Sequence, residues 1–227
     1  MIPPLIVRSA LENNIQIIAI TDHNASENVS AVIKAVENDN LTIIPGMELQ
    51  TAEEVHVLCL FDTIKQLEEL QRIVDHALPN FKNNPEFFGE QFVVDQTGEF
   101  IRRKEQLLIT STDLSFEKAF KAVNDLDGLF IPAHVNRQAF GLIYHLGFVP
   151  PELPIEALEI SRHISVEEAI RDFPQITGYP IIQSGDVHYL DDFLGAVQLF
   201  IERPSILEIK SALSGENGRF FKVISRN

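Results

Sequence analysis

The sequence predicts a single α/β domain over residues 1–227, in which strands and helices alternate around a barrel with a metal cluster on one rim. Three observations predict it. Short apolar runs separated by helix-like segments recur along the chain, the pattern of βα units. Four of these runs lead into side chains able to ligate a metal: 15–20 into Asp22 and His23, 41–44 into Glu48, 128–133 into His134, and the run before Ser184 into Asp186 and His188. Barrel enzymes build their sites from strand ends, so these runs suggest one rim of a parallel barrel. Finally, 227 residues with 45% apolar and 22% charged content suffice for one substantial core.

Pro3-Pro4 starts a helix through Leu5, Ile6, Ala10 and Leu11, because proline is tolerated in a first turn. Residues 15–21 form a strand, and a helix capped by Ser26 follows through Val29, Val32, Ile33 and Val36. The next strand is Leu41-Thr42-Ile43-Ile44, with Pro45-Gly46 and Glu48 at its end. A turn at Thr51-Ala52-Glu53 leads to a strand over 55–61. Helices are expected near 63–77, 115–126, 138–146, 165–172 and 204–213, and strands near 128–133, 155–160, 180–184, 196–201 and 219–224. The stretch 79–113, with turn signals at Asn83-Asn84-Pro85 and Thr97-Gly98, is an excursion from the barrel.

The formal charge of −15 argues against extended binding to a nucleic-acid backbone. It leaves a phosphorylated substrate open, since bound metal ions invert the local field of a site. No apolar run approaches the ~18 residues of a membrane span, and the N-terminus lacks signal-peptide features. The single cysteine, Cys59, lies in an apolar strand and fits a reducing cytoplasm.

Asp186 and His188 are two residues apart at a strand end, so both can face one side. A carboxylate such as Glu48 can bridge two metals, which an imidazole cannot. A lone histidine in an apolar strand, as His56 is, belongs more often to the core than to a metal site; Glu48, eight residues earlier, favours the ligand reading. His23 and His134 follow strands, while His76 and His145 lie in helices and read as structural; His163 follows the run ending at Ser161, near enough to approach the rim. Arg137, three residues after His134, suits a phosphate oxygen and equally suits a salt bridge to a carboxylate.

Thr21-Asp22-His23-Asn24, Pro45-Gly46-Met47-Glu48, Glu53-Glu54-Val55-His56, Pro132-Ala133-His134 and Gly185-Asp186-Val187-His188 resemble, in order, the later motifs of the polymerase-and-histidinol-phosphatase (PHP) domain family. The similarity runs from about residue 3 to residue 200 and is closest to the stand-alone metal-dependent phosphoesterases. It implies a distorted seven-stranded β/α barrel holding up to three divalent ions, with zinc, manganese and iron all compatible with the ligands. Carried over, Glu48 and Asp186 bridge or complete a first site, Glu48, His56 and His134 hold a second, and His23 and His188 a third. The implied reaction is hydrolysis of a phosphate monoester or nucleotide-type phosphate by metal-activated water, with Arg137 and Asp186 in catalytic roles; Asp22 is expected to orient a neighbour or join a turn, not to ligate.

Family members open with a strand bearing His-x-His and a further loop histidine, and neither is present here. A late start within a longer protein is the favoured expectation, ahead of truncation or degeneration. Fewer metals are then expected, with open sheet edges near 15–21 and 180–201 covered by another segment or by a second copy in a homodimer. The alternative is a domain that binds metal or a partner without catalysis. A nuclease acting on a strand end is a third reading, disfavoured by the charge of −15.

Overall fold

The computed structural model describes residues 1–36 and 40–224. Helix α1 (Pro3–Glu12) has proline in its first turn, as expected, and leads to strand β1 (Ile17–Ile20). Helix α2 (Val29–Ala35) begins later than Ser26, whose carbonyl closes a turn with the Val29 N–H. Strand β2 (Thr42–Gln50) runs straight through Pro45-Gly46 and so carries Glu48 within it. Gly46 is closely packed: a Cβ there would lie 2.8 Å from the Leu60 side chain and 2.9 Å from that of Thr21, so both would have to shift.

Strand β3 (His56–Leu60) is followed by α3 (Ile64–Ala77), which opens on a reciprocal Thr63–Gln66 cap. The excursion consists of a short helix α4 (Pro85–Phe88) and a hairpin of β4 (Phe92–Val94) and β5 (Phe100–Arg103). Next come α5 (Phe116–Asp125), β6 (Leu129–Pro132) and α6 (Leu142–Leu146). Helix α6 is shorter than expected because Phe140 has φ +63°, a left-handed conformation that cannot continue a helix. Then follow β7 (Leu158–Ile160), α7 (Val166–Asp172), β8 (Ile181–Gln183), β9 (Val197–Phe200), α8 (Ile206–Ser214) and β10 (Phe220–Val223).

The main sheet has the order β1-β2-β3-β6, with β7/β8, β9/β10 and β4/β5 as separate pairs. The structure corrects the all-parallel expectation. β1/β2 and β7/β8 are parallel, but β3 is antiparallel to both β2 and β6. The cause is the connection after Gln50: Thr51 N–H bonds Val55 C=O at 2.9 Å, a turn far too short for the crossover that parallel neighbours require. Among the described residues the strand pairings do not close into a ring, and β1 ends the main sheet with β2 as its strand partner.

Alternation along the strands divides the interior. Met47, Leu49, Val57, Cys59 and Phe130 pack under the helices, together with Leu67, Leu70 and Val123. Ile44, Leu60, Leu129 and Ile131 point to the opposite face, against Ile206, Ile209 and Leu213 of α8. A cavity of about 520 Å³ lies over that second face, bordered by Leu58, Ile131 and Ile182 and reaching Glu48, His134 and Asp186. No helix among the described residues is long and apolar enough to cross a membrane.

Candidate metal centre

Glu48 is the hub of the rim. It stands opposite Leu58 in the β2/β3 register, and His56 stands opposite Gln50. The reversed direction of β3 thus brings the first residue of that strand beside the last residue of β2. His56 Nδ1 donates to Glu48 Oε1 at 2.8 Å. His23 bridges to Glu48 through the backbone just beyond β1, with its Nδ1 3.8 Å from Glu48 Oε2. His134 Nε2 lies 3.9 Å from Glu48 Oε1. Two sets of ligand atoms each fall within 4.8 Å: His23, Glu48 and His56, and Glu48, His134 and Asp186. Glu48 belongs to both.

Backbone strain aims two of these groups. His134 has φ +31° and Asp186 φ +45°, in the left-handed region that non-glycine residues seldom occupy. Such conformations cost on the order of 1–3 kcal/mol and concentrate at functional sites. Asn24, fully buried with φ +50°, anchors the His23 loop by donating to the carbonyls of Leu108 and Thr110, both at 2.8 Å. The excursion is therefore tied directly to the rim. Asp22 accepts a bond from the Asn28 side chain, and its carbonyl accepts the Glu48 N–H, so it buttresses the loop.

Electrostatics sets the protonation states. Burial alone would raise the Glu48 pKa; the bond from His56 and the adjacent imidazoles reverse this and bring it to about 2. Burial lowers His134 to about 4, outweighing the attraction of Glu48. His23 is lowered for the same reason. At neutral pH the centre therefore presents a carboxylate and two neutral imidazoles, the forms that bind metal.

The donor set fits a divalent ion. His56 Nε2 and His134 Nε2 are both buried and have no hydrogen-bond partner. Buried polar nitrogens are almost always satisfied, and a metal held with Glu48 and Asp186 would satisfy that of His134. His188 lies outside the two ligand sets: it is exposed, its Nδ1 contacts the Asp186 carbonyl at 3.0 Å, and its ring centroid is 6.2 Å from that of His23. Arg137 makes the salt bridge that was one of the two roles considered for it, at 2.6 Å to Asp186 itself. His163 is exposed on the loop after β7, and His76 and His145 are engaged locally on α3 and α6.

Sequence reasoning missed Glu159. Its side chain is buried beside the same cavity and accepts the Ser184 hydroxyl at 2.8 Å. Burial, reinforced by the charges of Glu48 and Asp186, pushes its pKa up to about 8 against the opposing Ser184 bond. Arg162, which no motif in the sequence marks, donates to Asp192 at 2.7 Å and to the Gly185 carbonyl at 3.5 Å, holding the loop that carries Asp186.

The sequence profile of the PHP domain matches residues 3–131, which include His23, Glu48 and His56. The chain belongs to the PHP domain family. No curated protein gives a significant match. Among solved structures, this PHP chain resembles the lesion-specific Endonuclease Q of Pyrococcus furiosus, with TM-score 0.70 and 18% identity over 97% of the chain. It spans only 53% of that enzyme, and the same values hold against an Endonuclease Q solved with a 27-mer duplex substrate bearing an abasic lesion at the active site. A protein assigned as a metal-dependent phosphoesterase from Bifidobacterium adolescentis matches with TM-score 0.54 and 15% identity, covering 83% of this chain and 82% of its own. PsfC of Pseudomonas syringae also has TM-score 0.54, at 10% identity over 97% of this chain and 82% of its own. At these identities the likeness is one of fold.

Proposed function

We propose that this PHP chain hydrolyses a phosphate ester, either a monoester or a nucleotide-type phosphate, on a distorted β/α barrel. The observation that carries the reading is Glu48, shared by two ligand sets whose imidazole nitrogens on His56 and His134 are buried and unpaired. Zinc, manganese or iron held there would supply Lewis acidity and neutralise phosphoryl charge.

The chain's own residues divide the remaining work. Arg137, half-exposed at the rim, offers a planar fork of N–H donors for a phosphoryl oxygen. Its pairing with Asp186 holds it there before substrate arrives. The second face of the sheet, with Leu58, Leu129 and Ile131, keeps the floor of the site apolar and limits water. Glu159 and Ser184 brace the end of β8, from which the Asp186 loop departs.

The test is release of phosphate from p-nitrophenyl phosphate and from nucleotides, and cleavage of a bis-p-nitrophenyl diester, with manganese or zinc added. Metal-dependent turnover that falls at least ~100-fold in Glu48→Gln and His134→Ala supports the reading. Turnover unaffected by chelator or by either substitution would sink it.

A further inference from the structure

We infer that Phe140, fixed from behind by His145, is the positioning residue for the metal ligand His56. The assignment rests on the metal-centre reading above. Phe140 lies at φ +63°, a costly conformation for an aromatic residue with no help from its own side chain. Two bonds hold it there. Its N–H donates to His145 Nε2 at 3.2 Å, and its carbonyl accepts the His56 N–H at 3.0 Å. The following residue must be glycine for the turn to close, because a Cβ at Gly141 would sit 2.1 Å from the Arg137 carbonyl oxygen.

The result of this strain is a flat stack. The Phe140 and His56 rings lie 4.3 Å apart with only 1° between their planes. The stack sets the plane of the imidazole, while the Nδ1 bond to Glu48 sets its rotation within that plane. Together they leave one direction for His56 Nε2, the buried nitrogen without a partner. Ligating histidines need such outer partners, whose loss costs roughly 10–100-fold in metal affinity. Here an aromatic face supplies part of that restraint. The same loop carries His134 at its start and Arg137 at its centre, so one turn orients a ligand, an anion-binding group and the neighbour of a second ligand.

The experiment is titration of the metal-free chain with cobalt(II), followed by calorimetry and by visible absorption. Phe140→Leu keeps apolar bulk but not the flat face; it is expected to weaken cobalt binding about ten-fold and to alter the ligand-field bands. Phe140→Tyr keeps the face and is expected to restore both. His145→Ala releases the Phe140 backbone without touching His56, and a several-fold loss is expected there too, so the inference stays testable if Phe140→Leu folds poorly. Wild-type affinity and spectrum in Phe140→Leu or in His145→Ala overturn the assignment. Failure of the unaltered chain to bind cobalt overturns the metal-centre reading itself, and the assignment with it.

Discussion

Replacing Glu159 by glutamine isolates the cost of burying an acid beside Glu48 and Asp186. In the metal-free folded chain the Glu159 proton is held to about pH 8, against an ordinary 4.5. The folded state thus binds more protons than the unfolded state across that window, and stability falls as pH rises through it. The histidines act in the opposite sense: His134, lowered from 6.5 to about 4, and His23, also lowered, favour folding as pH rises towards 6.5. Above 6.5 only the Glu159 slope remains of these three, at about 1.4 kcal/mol per pH unit. From pH 6.5 to 8 the loss is about 2 kcal/mol, or roughly 4–8 °C in melting temperature for a chain of this size. Glu159→Gln keeps an acceptor for Ser184 and has no proton to lose. Thermal melts in chelator should show wild-type stability declining over pH 6.5–8 while the variant stays level. Parallel profiles for the two proteins would refute the assignment of a protonated buried Glu159.

Other expected outcomes are simpler. Arg137→Lys loses the planar fork and should raise KM for phosphate esters about ten-fold with a smaller fall in kcat, measured by steady-state kinetics. Met47→Ala removes a fully buried side chain beneath the helices and should cost about 2–5 kcal/mol in urea unfolding. Asn28→Ala cuts the bonds from its side chain to Asp22 and to the Phe92 carbonyl. Amide exchange in β4 and β5 should then quicken well before the main sheet is affected.

Most of the site is legible in the sequence because ligands sit where apolar runs stop, and His23, Glu48, His56, His134 and Asp186 do converge. The helices with Ser or Thr caps, α3 at Thr63 and α7 at Ser165, are legible for a comparable local reason. The direction of β3 is not. Thr51–Val55 reads as a turn in either topology, and only its shortness, compared with a crossover, predicts the reversal. Glu159 hides inside an apolar run, where a single acid is indistinguishable from a strand-end residue until its partners are seen. Phe140 is hidden further still: no property of phenylalanine announces a left-handed backbone, and the bonds that impose it come from His145 and His56.

The central claim is that Glu48 organises a divalent-metal centre, and calorimetric titration of the metal-free chain with manganese or zinc tests it most directly. The account predicts that wild-type protein binds at least one ion and that Glu48→Gln loses at least ~100-fold in affinity, because both ligand sets share that carboxylate. Equal binding by the two proteins, or none by wild type, would contradict it.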